Sequence, residues 1–577
     1  LFTGAFLVFT TLALSVLRRR RELALLRVLG VTRAGVARLV LAEAAVIGSA
    51  GAALGVAAGH ALALAVLTRF GPDLGAGYFS GVEAGLDADP AAYALFFGLG
   101  LATALLGALG PALETARAAP AQALRSGDQE RALARLPGAW PGTALITAAL
   151  ALTQVPPVNG IPVFGYLAVG ALLLGAVLLV PGLTPFALAL LAPRGPVPAR
   201  LAGEQLRGAP GQVAVSMAAI VVSVSLMVSM AIMVTSFRES LDQWLGQVLP
   251  ADLYLRSAPG GETAWFSPEE QERIRATPGV REARFLRVQN LWLDPARPPV
   301  SLLARPVDPE HPDRFLPLTG RWIVPGPGEP PPVWVSELVH DVYGFEVGRV
   351  VELPLAGRQM RFTVAGVWRD YARQNGAIYI PRDTYVALTG DRLANDTALW
   401  LEPGRPRSEV EAALRASLGD RPGLQLAETG ELRALSLSVF DRTFAVTYVL
   451  EAIAVVIGLL GISVSAGSQV AARRGEFGML RHVGMTRSQI AAMLGIEGVL
   501  VGAIGVLLGI ALGWVISLVL VHVVNRQSFH WSMDLHVPWA GLAALALALL
   551  AAAAATAVVS GRAAMGPDVV RAVREDW

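Results

Sequence analysis

Two stretches 454 residues apart hold the residues best suited to recognition. Glu22, Leu26, Arg27, Gly30, Thr32 and Arg33 recur at identical offsets as Glu476, Leu480, Arg481, Gly484, Thr486 and Arg487. The chemistry of this pattern is docking rather than bond-making. Around the first copy, Leu23, Leu26 and Val28 lie among Arg19, Arg20, Arg21, Glu22 and Arg27, which predicts a short amphipathic helix at the membrane surface. Gly30 is suited to end that helix and Thr32 to cap the next one. Arg held near anionic headgroups would explain an anchor. An anchor, however, does not require the same six residues at matching offsets twice, so a partner docked on each copy is the sharper reading. Two like surfaces imply two like partners.

Other side chains offer less. The seven His are His60, His311, His340, His482, His522, His530 and His536, with no His-Glu-x-x-His among them. His522, His530 and His536 share one loop, where a weak metal site competes with interfacial His beside Trp531 and Trp539; no metal is assigned. Cys is absent, which removes disulfides, thiolate nucleophiles and Cys-ligated metals. Every basic residue is Arg, so a Walker A loop and lysine Schiff-base chemistry are excluded. The chain cannot be its own P-loop ATPase, and no catalytic residue is assigned.

The elements that carry these residues are membrane helices. Hydrophobic residues make up 54% of the 577 and charged ones 16%, against about 25% charged in soluble domains. With about 20 apolar residues needed to cross a bilayer, nine spans are predicted: 1–17, 40–68, 91–113, 139–155, 163–192, 213–236, 443–466, 493–524 and 538–560. Residues 1–17 are apolar from the first position, without an initiator Met or a charged region, and fail the signal-peptide pattern; the expectation is that a natural N-terminus precedes them. Arg-rich short loops alternate with Arg-poor ones. The positive-inside rule therefore places the Arg-rich turns in the cytoplasm and residues 237–442 outside. Formal charges of +47 and −45 are nearly balanced and argue against a nucleic-acid partner.

The 454-residue shift continues without a gap. It pairs Glu43 with Glu497, and Gly51, Gly55 and Gly59 with Gly505, Gly509 and Gly513. The glycines, at i+4 spacing, allow close helix approach, so packing is their expected role. Glu43 and Glu497 lie about a turn inside their spans, where a carboxylate requires pairing or snorkelling; pairing with Arg is expected. Apart from these and Glu451, the spans carry few carboxylates. The predicted organisation is a first unit at 1–125, a linker with a two-span hairpin at 126–212, a span at 213–236, an exterior α/β domain at 237–442 and a second unit at 443–577. Because both amphipathic helices fall on one side, the repeats are parallel.

Glu-x-x-x-Leu-Arg-x-x-Gly-x-Thr-Arg between spans, followed by a Gly-rich span with an early Glu, resembles the FtsX-like permeases. This class of ABC-type permeases includes macrolide exporters and lipoprotein-release complexes. Gly344 to Val367, ending in Phe-Thr-Val-Ala-Gly-Val, is similar to the family's periplasmic core domain. The resemblance implies a polytopic α-helical protein of the bacterial cytoplasmic membrane, with two parallel FtsX-like repeats and one extracytoplasmic α/β domain. It also implies that the two turns are coupling helices for a separate ATP-binding subunit in two copies. ATP and Mg would bind there, and this chain needs no cofactor. The implied work is mechanotransmission to an exterior domain handling lipid, lipoprotein or similar amphiphilic cargo, in contact with membrane lipids and with a secreted or lipid-binding exterior partner. Sensing of an antimicrobial peptide is an alternative within the family, and secondary transport without an ATPase partner one outside it. Here both halves are fused, as in the long ten-span permeases, and the expectation is that the first unit's leading span, and a first exterior domain with it, belong to the N-terminal part that precedes residue 1.

Overall fold

A computed structural model describes residues 8, 19–70, 89–117, 139–158, 160–190, 195–208, 210–258, 264–419, 423–472 and 474–564. The predicted span at 1–17 lies outside these residues except for Val8. The first unit contributes α1 (Arg20–Val28), α2 (Arg33–Phe70) and α3 (Pro90–Arg117). Next come α4 (Trp140–Leu152) and α5 (Val163–Leu190), packed together as the hairpin, then the amphipathic α6 (Val197–Gly208) and the long α7 (Pro210–Val248).

Among the described residues six helices are long and apolar enough to cross a membrane. Helix α4 has 13 residues, about 20 Å at 1.5 Å per residue, and is shorter than a hydrocarbon core. Its close fit to α5 uses small residues: a Cβ on Gly142 would lie 2.9 Å from the Gly175 carbonyl oxygen.

Beyond α7 the chain builds a ten-stranded mixed sheet in the order β10-β1-β9-β2-β3-β8-β5-β7-β4, with β6 paired to β7. The strands are β1 (Leu253–Arg256), β2 (Val280–Leu291), β3 (Val300–Arg305), β4 (Leu318–Thr319), β5 (Pro332–Ser336), β6 (Val350–Leu355), β7 (Arg358–Trp368), β8 (Ala377–Pro381), β9 (Asp396–Leu401) and β10 (Gln425–Glu428). Pairs β3–β8 and β5–β7 are parallel. The 12-residue β2 joins the two halves of the sheet, pairing with β9 along its first part and β3 along its second. Alternating apolar residues form one core under each half. Leu253, Leu255, Phe285 and Leu399 pack against α8 (Pro268–Arg275) and α11 (Arg407–Leu418). Val333, Val335, Phe362, Val364 and Ile378 pack with α9 (Glu337–Tyr343) and α10 (Arg382–Thr389).

The second unit follows as α12 (Thr429–Ala472), α13 (Arg474–His482), α14 (Arg487–Val519) and α15 (Trp539–Ala564). Helix α14 continues through a π-helical turn, Leu520–Val524, to a last turn at Asn525–Phe529. The expected spans at 213–236 and 443–466 both lie inside longer helices, α7 and α12. These run on as a two-helix stalk to the sheet domain. Polar residues within the stretch assigned to the exterior domain cross-link this stalk: Arg433 pairs with Asp242 at 2.7 Å and Arg238 with Asp441 at 3.4 Å.

Candidate functional site

The two predicted turns have one geometry. In the first, Gly30 is left-handed at φ +101°, its N–H donates to the Arg27 carbonyl and the Val31 N–H to the Leu26 carbonyl. In the second, Gly484 has φ +103°, its N–H donates to the Arg481 carbonyl and the Met485 N–H to the Leu480 carbonyl. A residue with a Cβ is strained in this conformation, which is why both copies carry glycine. Thr32 accepts from the Gly35 N–H at 3.1 Å, and Thr486 from the Gln489 N–H at 3.2 Å. In the second copy the Gln489 side chain returns the bond to the Thr486 N–H, completing a capping box.

Burial follows the same register. Leu23 and Phe477 are buried, Leu26 and Leu480 half-buried, and Glu22, Arg33, Glu476 and Arg487 exposed. Leu480 and Phe477 pack with Leu201, Ala202 and the start of α14. The sequence singled out Leu26 and Leu480 for docking, but they point partly inward. The exposed apolar pair is one position away: Leu25 and Leu29 are 53% and 74% exposed, and their counterparts Met479 and Val483 are 64% and 79% exposed. Helix phase over so few residues is settled only by packing. Arg27 also has an inward task, donating to the Ala116 carbonyl at the end of α3 at 3.3 Å.

The remaining repeated residues diverge between copies. Glu43 is paired with Arg19 at 3.0 Å, whereas Glu497 is buried in α14. Gly505, Gly509 and Gly513 face α7 so closely that a Cβ would lie 2.8 Å from Ile220 Cγ2, 2.6 Å from Val224 Cβ and 2.7 Å from Val228 Cβ. Gly51, Gly55 and Gly59 are exposed and meet nothing within 4 Å among the described residues. Contact with the unit's following helix is kept in both copies: a Cβ on Gly48 would lie 2.6 Å from Ala104, and one on Gly502 3.3 Å from Ala553.

At the other end of the bundle the segment 530–538, before α15, is clamped to the sheet domain. The buried Glu337 carboxylate accepts from the Ser532 N–H at 2.8 Å and hydroxyl at 2.6 Å. Arg369 pairs with Asp534 at 2.9 Å, and Tyr371 donates to the Ser532 carbonyl at 2.8 Å. From α7, Ser240 accepts from the Asp534 N–H and Ser236 from the His536 N–H. Hydrogen bonding from Arg369 holds the Asp534 carboxyl below its ordinary value despite burial. Burial pushes the Tyr371 hydroxyl up to about 12, which keeps it a donor. Packing completes the clamp: Phe237 of α7 meets Phe440 and Phe444 of α12, Trp531 and Tyr371 at ring distances of 5.1 to 5.7 Å.

The loop histidines serve this junction. His530 lies 3.7 Å from Asp341, and His536 lies 3.3 Å from Gln243. Among the described residues no three His, Asp or Glu side chains converge on a metal site.

Comparison with known proteins agrees with this architecture. The model of the FtsX-like permease C-terminal family matches residues 1–120 and 448–569, and that of the MacB-like periplasmic core domain matches 213–417. The chain is therefore an ABC transporter permease of the FtsX-like family, with two permease units and a MacB-like periplasmic core domain between them. It is 29% identical over 606 aligned positions to an uncharacterized ABC transporter permease protein of Mycobacterium tuberculosis, covering 100% of this chain and 69% of that protein. The extracellular domain of the noncanonic ABC-type transporter YknZ from Gram-positive bacteria aligns with 30% of this chain and 99% of its own, at 15% identity and a TM-score of 0.22.

Proposed function

We propose that this permease couples ATP hydrolysis by a separate subunit to movement of its exterior domain. The observation that carries this reading is the duplicated turn: two caps of one geometry each present an exposed apolar pair, Leu25–Leu29 and Met479–Val483, flanked by Glu and Arg. A single motor fold in two copies suits two such handles, and ATP and Mg would bind on it. Helix α13 follows directly on α12, which runs 44 residues to the sheet domain. A push on the turn would therefore travel along a helical rod, and the clamp at 530–538 ties the final hairpin to the same domain. The cargo class is lipid, lipoprotein or a similar amphiphile handled on the outer side of a bacterial cytoplasmic membrane. The test is co-purification with the ATP-binding subunit. Leu25→Asp with Met479→Asp should release that subunit while the permease still inserts; full retention, with ATPase activity still coupled, would count against the docking role.

A further inference from the structure

The bundle also contains a cavity that the coupling path leaves unused. A space of about 370 Å³ opens among α7, α12 and α15, within the roughly 300–1,000 Å³ range of small-molecule sites. Its deep wall is apolar, from Ala231, Val234, Leu542 and Leu545. Polar groups sit towards the end facing the sheet domain: Thr235, Arg238 and Glu239 of α7, and Tyr448 of α12. Ala231, Val234, Thr235 and Arg238 follow helical spacing on one face of α7, which makes the wall about 10 Å tall at 1.5 Å per residue.

Glu451 lies one turn deeper than Tyr448 on the same face of α12 and lines the cavity. The neighbouring charges are committed elsewhere. Arg238 is paired with Asp441, and Glu239 accepts from Gln243. No ion pair or hydrogen bond reaches the Glu451 carboxylate from the described residues. The lining thus carries two carboxylates against one guanidinium that is already engaged. A carboxylate set among apolar helices needs a compensating group, and here the space beside it is open.

We propose that this cavity binds an amphiphilic cation, with its positive head on Glu451 beneath Tyr448 and its apolar body against Val234, Leu542 and Leu545. Tyr448 adds a ring that a cation can approach, and the apolar wall favours an aliphatic or aromatic body. The inference rests on bundle geometry alone. Its test needs neither ATP nor a motor subunit, so it can fail while the coupling reading stands, and the reverse also holds.

The experiment uses the full chain purified in dodecyl maltoside, with dodecyltrimethylammonium as probe and laurate as the tail-matched anion, bound species being counted by native mass spectrometry. One cation should be retained per chain and laurate should not. Glu451→Gln should weaken retention about tenfold or more, the range expected when a charged partner is lost. Leu545→Trp, which fills the apolar end and leaves the carboxylate in place, should abolish retention. Equal retention of laurate, or wild-type retention by either variant, would overturn the proposal; so would the absence of cation binding by the wild-type chain.

Discussion

Replacing Glu337 by Gln probes the clamp between the sheet domain and the last hairpin with almost no change of shape. Glu337 is 4% exposed, and its carboxylate accepts both the N–H and the hydroxyl of Ser532. An amide keeps only one acceptor oxygen, so one of these donors must face an NH2 group. Loss of one hydrogen bond to a charged group costs about 1.5–3 kcal/mol, and the bond that remains becomes neutral and weaker. If opening of residues 530–538 precedes exchange of the Ser532 amide, its protection should fall by roughly 10- to 150-fold, at about 1.4 kcal/mol per factor of ten. Hydrogen exchange of the purified full chain, followed by mass spectrometry of peptides spanning 530–538, reads this directly. Amides at the start of α14, at the opposite end of the bundle, should be unchanged. Unaltered protection at 530–538 would refute the clamp, and equal loss throughout the chain would mean that the variant acts on global folding instead.

Three further outcomes follow from the same contacts. Gly509→Leu should destabilise the α7–α14 pairing by about 1–3 kcal/mol or more through overpacking, read as a lowered thermal midpoint, whereas Gly55→Leu, whose face is open among the described residues, should shift it far less; equal effects would contradict the packing asymmetry. Thr486→Ala should cost about 1 kcal/mol of helix stability through the lost cap, seen as faster exchange in the first turn of α14, and Thr486→Ser should restore protection. The Asp534 carboxyl is depressed in the folded state, so its contribution is fully present above the ordinary aspartate value of about 3.9 and is lost as pH falls through the lower folded value. Proteolytic nicking at 530–538 should therefore rise as pH falls below about 4, and an Asp534→Asn variant should lack that rise.

Much of this arrangement was legible in the sequence, for identifiable reasons. The six matched residues from Glu22 to Arg33 and Glu476 to Arg487 specified a cap, a left-handed glycine and a restart, and both turns have that geometry. Local backbone chemistry fixes such features. Which apolar residues face outward was not legible, because Met479 and Leu480 differ by only 100° on a nine-residue helix and the packing of Leu201 and Ala202 decides. That α7 and α12 run on beyond the expected spans was not legible, because Arg238, Asp242, Arg433 and Asp441 find their partners only on the facing helix. The clamp could not be read at all, since Ser532 and Glu337 are 195 residues apart. The loop histidines were a signal that something polar meets there, but not what.

The chain has no cysteine, which permits a direct test of docking. Single cysteines at Leu25 and Met479, with Gly55 as the control, can be crosslinked in membranes to the co-expressed ATP-binding subunit. Both exposed turn positions should capture that subunit, ATP should change the yield, and position 55 should capture none of it. An ATP-binding subunit that co-purifies with the chain yet crosslinks at neither turn would contradict the docking role.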